Sequence, residues 1–166
     1  MSRDRKVLIF GGLALAAFGM FYGLHYALFV EHQTLDQLGG SLATAFVSAA
    51  ERKLPESRAA LDRYAAIRYD YVRQVDVHSH WIGLAMLMIV FGAAFDRVAF
   101  SGSIKFWIAL ALTIGAIVFP LGVILQTVSH GSALASALAI LGSGLVIMAL
   151  AATALGFARQ GAPGGA

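Results

Sequence analysis

Residues 104–128 read IKFWIALALTIGAIVFPLGVILQTV, and residues 133–158 read ALASALAILGSGLVIMALAATALGFA. Lys105, at the edge of the first run, is the one formal charge in these two segments. A helix needs about 20 predominantly apolar residues to cross the hydrocarbon core of a bilayer. Backbone groups in lipid must pair internally, which leaves helices or closed barrels. These runs are continuous rather than alternating, so the helix is favoured. Working outward, two further runs qualify, at 7–30 and 79–100. The second has a strictly apolar centre, Trp81 to Phe95, followed by Asp96 and Arg97, which the sequence places as a neighbouring ion pair at the membrane edge. The expected fold is all-α: an integral membrane four-helix bundle with spans at about 7–30, 79–100, 104–128 and 133–158.

Composition agrees. Of 166 residues, 59% are hydrophobic and 13% charged, against about 45–50% and about 25% in ordinary soluble domains. Cysteine is absent, which excludes disulfides, thiolate metal sites, iron–sulfur clusters and covalent c-type haem attachment. The net charge is +3 with its basic residues scattered, so nucleic acid is not an expected partner. Phosphate-binding Gly-rich loops with Lys, HExxH and GxSxG are missing, and no enzyme class is indicated. No acidic residue stands mid-run, which disfavours a proton-coupled transporter. The first run is too long for the apolar core of a cleaved signal peptide and reads as a retained helix.

Lys and Arg near span ends set orientation. Arg3, Arg5, Lys6, Arg97, Lys105 and Arg159 fall on the side of the termini, whereas Arg63, Arg68 and Arg73 are the basic residues near a span on the other side. Both termini are expected in the cytoplasm, with the 31–78 loop outside an inner or plasma membrane. Residues 1–160 read as one membrane domain, and the Gly-rich tail 161–166 as disordered.

The polar loop reads as a helical hairpin over 33–78. Thr34 and Gln37 have the spacing of a capping box. Leu35, Leu38, Leu42 and Phe46 recur at helical spacing, as do Leu61, Tyr64, Ala65, Arg68, Val72 and Val75. These stripes are expected to pack on each other, with a partner-docking surface as the alternative. The second amphipathic helix meets no breaker before residue 79 and should run on into the membrane. Small residues at Gly12, Ala16, Gly19, Gly23 and Ala27, and at Ser132, Ser136, Ala139 and Ser143, form stripes suited to close helix packing, first within the chain and otherwise in a homodimer. Pro120 should kink its helix.

Five histidines complete the inventory: His25, His32, His78, His80 and His130. In the four-span topology all five fall at one membrane face. His25 and His32 share a helical face, whereas His78 and His80, two residues apart, point to different sides. Imidazole without thiolate suits haem b, copper or zinc. His25, His80 and His130 are the haem-ligand candidates, and all five histidines are metal-ligand candidates. Asp76, four residues before His80, is positioned to hold the second ring nitrogen of a ligating imidazole.

The stretch His78-Ser79-His80-Trp81-Ile82-Gly83-Leu84, leading into Met88-Ile89-Val90-Phe91-Gly92, resembles the His-x-His helix entry of membrane haem proteins related to subunit I of the haem–copper oxidases. The resemblance is confined to 78–92 and implies a haem ligand among His78 and His80. The leading expectation is a non-enzymatic protein that binds haem b or a metal through outer-face histidines, serving electron transfer. A structural or assembly subunit holding a membrane-protein partner is the alternative, and a small transporter or channel component the second.

Overall fold

The computed structural model describes residues 1–129 and 132–160; His130 and the tail 161–166 lie outside the described residues. Five α-helices follow in order: α1 (Arg3–Phe29), α2 (Glu31–Ala50), α3 (Leu54–Ala94), α4 (Gly102–Val128) and α5 (Ala133–Gln160), with a 3₁₀ turn at Phe95–Arg97 after α3. The described residues contain no strand, so the chain is all-α. Four helices are long and apolar enough to cross a membrane: α1, α3 with its terminal turn, α4 and α5. Two compact units divide the chain, Met1–Met20 with Val77–Ala166, and Phe21–Asp76. α1 and α3 each supply residues to both.

In the first unit, α3 buries Val77, Trp81, Leu84 and Met88, a helical stripe at spacings of four, three and four, with Ala85 beside it. α1 answers with Leu8 and Leu15. Glycines let the two backbones close. A Cβ on Gly12 would stand 2.9 Å from the Ala85 carbonyl oxygen, and one on Gly92 would stand 3.2 Å from Leu8 Cβ. Gly12 and Gly19 thus pack within the chain against α3, not against the small-residue stripe at 132–143. The glycines of α4 and α5 serve each other instead. A Cβ on Gly122 would lie 2.8 Å from Ala139 Cα, and one on Gly142 2.6 Å from Phe119 Cα. Gln126 Nε2 reaches Ser136 Oγ at 3.4 Å across the same contact. α4 continues through Pro120 to Val128 as one helix.

Asp96 does not pair with its neighbour Arg97 as the sequence suggested. Arg5, from the first turns of α1, ion-pairs with Asp96 and donates from Nε to the Gly92 carbonyl at 3.0 Å. A side chain one residue away on a tight turn is held apart from its neighbour, whereas a long Arg from a packed helix reaches both groups at once.

The second unit holds the hairpin. Its first helix starts at Glu31, earlier than a capping box at Thr34 required. Thr34 Oγ1 instead donates back to the Val30 carbonyl at 3.0 Å. Gly39 and Gly40 remain helical. α2 ends in a Schellman turn: the Lys53 N–H donates to Ser48 O at 2.8 Å and the Arg52 N–H to Ala49 O at 3.0 Å. Arg52 occupies the left-handed position, φ 60°. α3 then runs without a break from Leu54 to Ala94.

The hairpin closes on small residues rather than on the large apolar stripes. Ser41, Ala45 and Ser48 of α2 are buried, as are Ser57 and Ala60 of α3. The Ser57 hydroxyl donates to the Ala45 carbonyl at 2.9 Å. Leu35, Phe46, Val47, Leu61, Val72 and Val75 are exposed, Phe46 to 68%. Short side chains allow the close approach that the Ser57 bond requires, and that approach turns the bulky residues outward.

Candidate functional site

The histidines divide between the two units. His78 and His80 belong to the first, in the part of α3 where its buried stripe begins. α3 is regular here, so the two rings leave on different sides. His78 turns toward α1 and its Nδ1 lies 2.9 Å from the Gly19 carbonyl oxygen. A carbonyl oxygen can only accept, so the bond needs a proton on Nδ1, and in the neutral ring that leaves the lone pair on Nε2. A backbone carbonyl on one ring nitrogen is a common way of orienting an imidazole whose other nitrogen binds a metal. Gly19 makes this bond accessible. The absence of a side chain lets α3 come close enough for the His78 ring to reach this carbonyl. The fit is tight, since a Cβ there would meet Trp81 Cβ at 3.0 Å.

His80 turns toward α4 and presents its ring edge-on to Phe119, centroids 4.8 Å apart. It lines a surface groove with Ser79, Gly83, Leu84 and Leu87. Trp81, between these directions, is buried and packs edge-to-face on Phe18 at 4.8 Å. Beneath it lies an apolar cavity of about 340 Å³, lined by Leu15, Phe18, Trp81, Met88, Thr113 and Ile117 among others. The Thr113 hydroxyl is spent on the Ala109 carbonyl at 2.8 Å, so the cavity walls suit an apolar guest and carry no histidine.

His25 and His32 belong to the second unit. Both are exposed. The His25 ring rests 5.4 Å from that of Phe29, and His32 Nε2 stands 3.5 Å from Asp36 Oδ2 on an open surface. Asp76 closes this unit, exposed, one turn before His80 on α3. His130 lies outside the described residues. Among the described residues no three His, Asp or Glu side chains come close enough to hold one metal ion.

The same unit contains polar pairs that sequence spacing did not single out. The Tyr22 hydroxyl donates to Gln74 Oε1, and the Tyr71 hydroxyl to Glu31 Oε1 at 3.4 Å. Each joins residues far apart in sequence, so no local pattern reveals it. Gly19 was legible as a packing residue, and its second role as a histidine acceptor was not.

Neither a protein-family model, nor a curated protein, nor a solved structure matches the chain.

Proposed function

We propose that this protein crosses a membrane four times as a helical bundle and binds haem b or a single copper ion through its histidines in the service of electron transfer, or a zinc ion with no redox role. His78 is the ligand the geometry favours. The observation that carries the reading is the hydrogen bond from His78 Nδ1 to the Gly19 carbonyl. In the neutral ring it selects the tautomer whose Nε2 carries the lone pair, and it holds the ring in place, at little further entropic cost for ligation. His80, on the opposite side of α3, serves a different contact. Bound haem or copper would supply the redox chemistry, which zinc would not, and the chain would supply orientation and a water-poor surrounding.

The test is the visible spectrum and metal content of the detergent-purified chain. A Soret band, or one equivalent of metal, should be present and be lost in His78→Ala. Single alanine variants of His25, His32, His80 and His130 then identify the other ligands. A folded protein that is colourless and metal-free overturns the reading.

A second reading has its own observation. The hairpin carries large exposed apolar side chains, Phe46, Leu61 and Val72 among them, and contiguous apolar surface outside a membrane marks an interaction site. A structural or assembly subunit that grips a membrane partner through this surface would need no cofactor.

A further inference from the structure

At the end of the first unit that carries the N-terminus, α1 begins with a buried carboxylate. Asp4 is 6% exposed, and it extends the packing stripe that continues through Leu8 and Leu15. Spacings of four and seven keep these residues on one face, so the stripe that buries leucine draws Asp4 inward with it. No side chain or amide of the described residues forms a hydrogen bond or ion pair with it. Two cations of this end have other partners: Arg5 is engaged by Asp96 and Gly92, and Lys105 Nζ donates to the Asp96 carbonyl at 3.3 Å, while Arg3 lines the same cavity as Asp4. The residue is largely enclosed, and its carboxylate reaches water only through the cavity it lines, where a cation could meet it.

Asp4 lines a cavity of about 440 Å³, together with Ser2, Arg3, Gly102, Ser103, Phe106 and Trp107. The far wall is the start of α4. Ser101 makes no side-chain cap there, so the first amide N–H groups of α4 are left facing outward at the positive end of the helix dipole. One cavity thus offers a carboxylate for a cation and, beside it, amides with Arg3 for an anion. Phe106 and Trp107 complete the wall, Trp107 at 65% exposure. An exposed Trp one turn into a long apolar helix is the arrangement found at the headgroup level of a bilayer.

We propose that this cavity binds the headgroup of a zwitterionic phospholipid bearing a primary amine, phosphatidylethanolamine in class. The ammonium hydrogen-bonds to the Asp4 carboxylate, and the phosphate sits on the α4 amides and Arg3. The acyl chains leave past Trp107 along the apolar side of α4. The inference rests on the membrane-spanning part of the proposed function and not on haem or metal binding.

Native mass spectrometry of the full chain in detergent tests it, with phosphatidylethanolamine, phosphatidylcholine and phosphatidylglycerol of identical acyl chains as probes. A trimethylated ammonium cannot donate a hydrogen bond, so the ethanolamine lipid should bind about tenfold more tightly than the choline lipid. In Asp4→Asn that ratio should fall to about one, with helicity unchanged. Equal binding of ethanolamine and choline lipids by the unaltered chain overturns the proposal even if Asp4→Asn does not fold. So does an equal affinity for phosphatidylglycerol, or a preference that survives in Asp4→Asn. Displacement of the lipid by soluble phosphoethanolamine at comparable concentration overturns the lipid as the source of the headgroup. Failure of the folded chain to retain the ethanolamine lipid also overturns the proposal and leaves the four-span reading standing, since that rests on helix length and apolarity.

Discussion

Gly19 shows how one residue type serves two ends. Its missing side chain lets Trp81 and Ile82 of α3 pack close, and its carbonyl takes the His78 ring. Gly19→Val should therefore disturb the imidazole without removing it. We expect any haem or metal signal to shift or weaken in Gly19→Val while His78→Ala abolishes it, read by the same absorbance spectrum. Gly122 and Gly142 have a simpler task. A methyl group at either meets backbone across the α4–α5 contact, and backbone cannot swing aside. Gly122→Ala or Gly142→Ala should cost about 1–3 kcal/mol, seen as a lower Tm in detergent. Gly144 faces open space, and Gly144→Ala should leave Tm unchanged or raise it. Sequence gives all three the same letter. What separates them is the neighbour on another helix, which no single-chain periodicity contains.

Among the elements, the hairpin departs most from its sequence pattern. The apolar periodicity of α2 and of the first half of α3 is real, and it correctly announces two helices. It misleads about which face is inside, because Ser41, Ala45, Ser48, Ser57 and Ala60 pack more closely than Leu or Phe would allow. Hydrophobicity ranks residues by their dislike of water and says little about how near two backbones come. Ser57→Ala removes the bond to the Ala45 carbonyl from a buried position and should cost about 1 kcal/mol, measured by amide exchange along α2. At the hairpin tip the expected sign is opposite. Arg52 holds a left-handed conformation that glycine adopts freely. Arg52→Gly should stabilise the turn by about 1 kcal/mol, slowing exchange at the Arg52 and Lys53 amides. The unbroken run of α3 was legible in advance, since no Pro or Gly interrupts residues 56–82.

For the whole molecule, the four long apolar helices could be read directly from run length, because crossing lipid is a demand on composition rather than on contacts. Orientation draws on the bias of Lys and Arg alone, and the absence of native cysteine makes it easy to check. In intact cells, Lys53→Cys should react with a membrane-impermeant maleimide, and Ser2→Cys should react only after lysis; the reverse pattern inverts the topology. The candidate site was less legible. The sequence supplied its imidazoles, yet their partners are a glycine carbonyl and an aromatic edge, groups that carry no signature of their own. The contact between α4 and α5 has a last consequence. Among the described residues it is held chiefly by matched shape, glycine against backbone, with Gln126 reaching Ser136 and no charged pair across it, so concentrated salt has little lever on it. The corner held by Arg5 and Asp96 does offer one, and as ionic strength climbs it should slacken while the α4–α5 seam stays shut, giving way only to heat or to a solvent that wets hydrocarbon.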